Sequence, residues 1–74
     1  MENYRKRYIS KLLSEAGDLI QEHDDISIAN IMATVFRPKN MKGDNKDPYF
    51  MTDEEFSSAL ESTIEGLKEM KNDK

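Results

Sequence analysis

Apolar residues recur at helical spacing over two long stretches of the chain. Between residues 2 and 22 they fall at Tyr4, Tyr8, Ile9, Leu12, Leu13, Ala16, Leu19 and Ile20. Steps of three and four place these on one stripe of a 3.6-residue helix, whereas a strand would need alternation. From residue 53 to 70 the stripe is Phe56, Ala59, Leu60, Ile64, Leu67 and Met70. This second helix carries a clear start signal. Thr52 is followed three residues later by Glu55, the spacing of a capping box, and Met51 and Phe56 hold the two positions of a hydrophobic staple. Asp53, Glu54 and Glu55 fill the first turn, where the positive end of the helix dipole favours carboxylates. Gly17 and Gly66 interrupt the two helices, each at a cost of up to ~1 kcal/mol relative to alanine. Gly17 reads either as a place of close helix approach or as a local weakness.

Between these stretches, residues 26–36 carry Ile26, Ile28, Ala29, Ile31, Met32, Ala33, Val35 and Phe36, with only Ser27, Asn30 and Thr34 polar. Ile26-Ser27-Ile28 alternates as a strand would, but alternation fails at Ala29 and through Ile31-Met32-Ala33, so a helix is expected. Asp24, Asp25 or Ser27 can cap its start. Pro38 ends it, because the residue before a proline is pushed out of helical geometry. A segment this apolar is expected to sit between the other two helices and touch both. Residues 37–51 are rich in turn formers and basic residues, a long connection for so small a chain. Tyr49, Phe50 and Met51 are expected to pin its end onto the core.

The pattern predicts an all-α fold: one domain over residues 1–74, with helices at about 2–22, 26–36 and 53–70 and a long basic loop at 37–51 between the second and third. The chain has 74 residues and a mass of 8.6 kDa. A domain of that size buries only about 60% of its unfolded surface. Either the core is efficient or a partner completes it. Cysteine is absent, which excludes disulfides and thiolate sites. No apolar run approaches the ~20 residues of a membrane span. The basic start, Met1 to Arg7, is not followed by the apolar stretch of a signal peptide. A cytoplasmic location without membrane contact is expected.

The formal charge of −4 hides alternating blocks. Arg5, Lys6, Arg7 and Lys11 against Glu2 make the first eleven residues basic. Glu15, Asp18, Glu22, Asp24 and Asp25 make residues 12–25 acidic. Residues 26–36 are uncharged, Arg37, Lys39, Lys42 and Lys46 make 37–46 basic, and Asp47, Asp53, Glu54, Glu55 and Glu61 make 47–62 acidic. Such blocks can face one another, or one can meet a phosphate backbone or an acidic protein surface. The basic residues of the first helix lie at the end that its dipole disfavours, a hint of another use.

Candidate chemistry is sparse. His23 sits in Glu22-His23-Asp24-Asp25, but neighbours on a helix point apart and no second histidine or cysteine completes a zinc set. A polar helix end accounts for it. Asp44, Asn45 and Asp47 beside Gly43 are a fragment of a calcium loop, without its remaining ligands. No metal or cofactor is expected. Ser57, Ser58, Ser62 and Thr63 have no histidine near them in sequence, and no phosphate loop or dinucleotide fingerprint is present. An enzyme is not expected.

Two functional expectations follow. The first is a small protein-binding module, an inhibitor or regulator of the size of a bacterial or phage accessory protein. It would cover a basic partner surface through Met41, Tyr49, Glu54, Glu55, Glu61 and Glu65. A homodimer is closely related, since the apolar second helix has more surface than two thin neighbours cover. The second is a nucleic-acid-binding regulator using Arg5, Arg7, Arg37, Lys39, Lys42 and Lys46. The order of its helices is that of a helix-turn-helix, but the first turn of the third helix is acidic and the connection is far too long.

Overall fold

The computed structural model describes the backbone of residues 2–72 and the side chains of residues 4–71. Three helices form: α1, Glu2–Glu22; α2, Ile28–Val35; and α3, Asp53–Asn72. Among the described residues there is no strand. The connection from α2 to α3 contains two short 3-10 turns, Pro38–Asn40 and Pro48–Phe50.

Pairings along the helices give the topology. Arg5 meets Ser57, Tyr8 meets Glu61 and Glu15 meets Lys68, so α1 and α3 run parallel. Asp25 meets Lys71 just before α2 begins, and Phe36 lies 6.2 Å from Phe56 where it ends. The middle helix therefore returns antiparallel to α3. Parallel neighbours need a connection that travels back along the bundle, and α2 with residues 36–52 makes that journey.

The core lies where the three stripes meet. Leu12, Ala16 and Leu19 come from α1, Ile31 and Val35 from α2, and Ala59, Leu60 and Ile64 from α3, with Ile26 closing one end. Val35, Leu60 and Ala16 are fully buried. Tyr8, Ile20, Met32, Phe36, Met51, Phe56 and Leu67 pack around this centre. Burying a Leu or Ile side chain is worth about 1.5–3 kcal/mol, so these contacts carry most of the stability.

The middle helix is shorter than its apolar run. Ser27 takes the cap: its backbone is extended and its Oγ accepts from the Asn30 N–H at 3.1 Å. Ile26 is buried outside the helix. Contact with both neighbours is present, but coverage on most sides is not. Ile28 is 45% exposed, and Ala29 and Ala33 are exposed as well. Two neighbours reach only the flank of α2 that carries Ile31 and Val35. Gly17 is not a point of close approach within the chain, since a Cβ added there meets nothing within 4 Å.

The accessible surface is 5605 Å². A compact protein of this mass exposes roughly 4,700 Å². The principal extents of 39, 26 and 18 Å describe a flattened body, which explains the excess. None of the described helices is long and apolar enough to cross a membrane.

Candidate functional site

The connection between α2 and α3 is tied down at closely spaced points. The Asn40 side-chain amide donates to the carbonyls of Thr34 and Val35, both at 3.0 Å, and so caps the end of α2. Met41 then turns inward and is only 3% exposed. The Lys42 N–H donates to Glu55 Oε2 at 2.9 Å, and the Lys46 ammonium donates to the Met41 carbonyl. Glu55 also accepts from the Thr52 N–H at 3.0 Å, while Thr52 Oγ1 accepts from the Glu55 N–H at 3.1 Å. The capping box is therefore formed, and its carboxylate also holds the preceding loop. Both backbone donors pull the Glu55 pKa below the ordinary glutamate value.

The last part of the connection displays an aromatic pair. Asn45 Oδ1 accepts from the Asp47 N–H, and Asp47 Oδ1 accepts from the Tyr49 N–H, each at 3.0 Å. Pro48 opens the turn, whose backbone closes through Phe50 N–H to the Asp47 carbonyl at 2.9 Å. On this short platform the Tyr49 and Phe50 rings stand 5.0 Å apart, edge to face at 86°. They are 85% and 58% exposed. The expectation that Tyr49 and Phe50 pin the loop is overturned. Met51 alone of the three packs against the core, because the turn directs the two rings outward.

The remaining predicted residues are spread over the molecule. Glu54 is exposed and, with Glu55, Ser58 and Ser62, borders a shallow groove whose opposite wall is Lys39 and Lys42. Asp53 and Glu54 open α3, and the aromatic pair lies on the turn that precedes it. Glu61 and Glu65 lie elsewhere, beside Tyr8 and Lys68. The Tyr8 hydroxyl bonds to Glu61, and this acceptor with the surrounding carboxylates raises the tyrosine pKa. Met41 is a core residue and offers no surface to a partner. Of the proposed binding set, Glu54 and Glu55 border one groove and Glu61 and Glu65 another, while Tyr49 lies on the turn that precedes α3.

Part of the basic set is engaged within the fold. Arg5 Nη1 donates to the buried Ser57 hydroxyl at 3.0 Å. Lys6 lies 2.7 Å from Asp53, so one block from each end of the charge pattern meets its opposite. Arg7, Arg37, Lys39 and Lys42 are exposed. His23 is half-buried, 3.9 Å from the Glu22 carboxylate. Among the described residues no group of three or more His, Asp or Glu side chains is placed to hold a metal ion.

Phe50, Asn45 and Asp47 were missed as parts of a surface feature. The signal was present in Asn45-Lys46-Asp47-Pro48: two side chains able to bond the backbone two residues on, then a proline that starts a turn. No family model matches the chain, and neither a curated protein nor a solved structure matches it.

Proposed function

We propose that this chain is a protein-binding module, an inhibitor or regulator that acts by docking and not by catalysis. The observation that carries the reading is the Tyr49–Phe50 pair, exposed on a turn whose backbone is fixed on both sides. Aromatic rings held in place lose little freedom on binding, and tyrosine is among the commonest interface hot spots. Exposed aromatics also give up water favourably when a partner pocket covers them. Beside them Glu54, exposed in the first turn of α3, supplies negative charge, which fits a pocket with lysine or arginine at its rim.

A photo-crosslinking residue placed at position 49 tests this in cells, with Asp18 as an exposed control position. The expected result is a discrete protein adduct at 49, absent at 18 and lost when Phe50→Ala is added. Adducts to nucleic acid at 49, or a pattern identical at the two positions, would overturn it.

A further inference from the structure

We infer that residues 42–52 form a docking loop closed by one clasp, the Glu55 carboxylate, and that Glu55 controls the docking of Tyr49 and Phe50 without itself touching the partner. The inference rests on the docking role proposed for the aromatic pair and adds what regulates it.

The two oxygens of Glu55 reach the two ends of the loop. Oε2 accepts from the Lys42 N–H at 2.9 Å, and Oε1 accepts from the Thr52 N–H at 3.0 Å. One planar group thereby fixes how far apart the ends lie. The clasp is itself held in place, because the Glu55 N–H donates to Thr52 Oγ1 at 3.1 Å. Each end also has an apolar anchor beside it. Met41, just before Lys42, is buried, and Met51, just before Thr52, packs against the core.

Between these anchors the loop buries nothing: residues 42–50 are all exposed. Its internal hydrogen bonds join it to itself. The Asp47 N–H donates to Asn45 Oδ1, the Tyr49 N–H to Asp47 Oδ1 and the Phe50 N–H to the Asp47 carbonyl. Such bonds give the segment a shape without fastening it to the helices. A surface loop with neighbouring ends, ordered by its own side chains, is an Ω loop. With so little buried apolar area, it is the kind of segment that opens as one unit.

The fastening therefore falls to Glu55. Its bonds are charge-assisted, roughly twice as strong as neutral ones. Glu54, the preceding carboxylate, is exposed, whereas Glu55 is half-buried and turned to the loop. The two neighbours thus divide the work: Glu54 is open to a partner, and Glu55 is a positioning residue. An opened loop would scatter Tyr49 and Phe50 over many positions, and docking would then have to order them. The apparent affinity falls by the fraction of time for which the loop is closed.

Nitrogen-15 relaxation on the full chain reads the clasp with no partner present, and the photo-crosslinking residue at position 49 reads docking in cells. Glutamine has one acceptor oxygen in place of two, so Glu55→Gln holds one end only. In the wild type, residues 43–50 should move with the helices, at order parameters of about 0.85, and in Glu55→Gln they should fall below about 0.6 while α1 and α3 stay rigid. The adduct at 49 should drop about tenfold or more with them. Two further variants separate the clasp from its surroundings. Thr52→Ala removes the cap hydroxyl but keeps both N–H donors, so it should lower the melting temperature and leave the loop ordered and the adduct intact. Glu54→Gln should weaken the adduct with the loop unchanged. A loop as ordered in Glu55→Gln as in the wild type, a Thr52→Ala loop as loose as that of Glu55→Gln, or an undiminished adduct from a loosened loop would overturn the inference. A wild type that forms no adduct at 49 would overturn the docking role of the pair instead, and the relaxation data would still decide the clasp.

Discussion

Along the α1–α3 interface Leu12, Ala16, Leu60 and Ile64 are buried side by side. Across residues 37–50 one side chain, Met41, is buried to that degree. The connection is instead held by side chains that satisfy backbone groups: Asn40 at the end of α2, Asn45 and Asp47 within the turn, and Glu55 reaching back from α3. The helix pair is stabilised by apolar area, whose contribution grows with every residue buried. The connection is stabilised by individual hydrogen bonds, each worth about 0.5–1.5 kcal/mol net. The difference has a functional side. Area-driven packing hides apolar groups, whereas a framework of hydrogen bonds can hold Tyr49 and Phe50 in the open.

The largest effect that tests this contrast lies in the helix pair. Leu60 is fully buried at the centre of α3. Leu60→Ala removes its methyl groups and leaves a cavity, with an expected loss of about 2–5 kcal/mol. Net stability for a domain this small is rarely above about 3–5 kcal/mol, so the variant should be largely unfolded at 25 °C. Urea titration followed by circular dichroism measures it. A loss below about 1 kcal/mol would show that the helix pair is not the main source of stability.

Periodicity made the helix pair legible. The cap of α3 and most of both stripes read correctly from spacing, because a helix presents a fixed face every 3.6 residues, but Tyr4, Leu13 and Met70, expected on those stripes, are exposed because no neighbouring element reaches them. Composition alone made α2 look more buried than it is. An apolar run records what a segment could bury, not how many neighbours exist to bury it, and Ile28 shows the gap. The connection was legible in its boundaries but not in its geometry. Met41 was expected to meet a partner from the polar loop, whereas it is buried, and its burial depends on where Asn40 and Glu55 carry the chain. Tyr49 and Phe50 were expected to pin the loop onto the core, with Tyr49 also read as a partner contact, yet the turn set by Asp47 and Pro48 sends both rings outward. The ion pair of Lys6 with Asp53 joins residues far apart in sequence, which no local pattern reveals.

Met41 is the point where the two modes of stabilisation meet, and it gives the intermediate effect. Met41→Ala should cost about 2–3 kcal/mol, near the low end for a buried methionine because the loop above it can settle into the space. Its signature is regional. Amide exchange should accelerate over residues 42–50 more than within α1 or α3, since those amides depend on the loop staying docked. Equal acceleration everywhere would mean that the connection and the helix pair unfold as one unit.

The smallest effect, and the most specific to the connection, is its dependence on pH. Backbone N–H groups of Lys42 and Thr52 hold the Glu55 carboxylate in its charged form, so its folded pKa lies below the unfolded value. A depressed carboxylate contributes stability that is fully present above the unfolded pKa and lost as pH falls through the folded one. Acid should therefore loosen the loop at Lys42 and the first turn of α3 before it disturbs the helix pair. Asp25 is depressed in the same direction by Lys71 at the opposite end of the bundle, so the pH profile of the wild type contains both. Glu55→Gln separates them. The glutamine keeps an acceptor but cannot lose a charge, so the variant should be less stable than wild type at neutral pH. The two melting temperatures should then converge as the solution is made acid, while the slope owed to Asp25 remains in both. The protection factors of the Lys42 and Thr52 amides, followed through the same titration, should fall in the wild type and stay nearly constant in the variant. Parallel profiles for the two proteins would mean that Glu55 does not fasten the loop, and that Met41 alone keeps it in place.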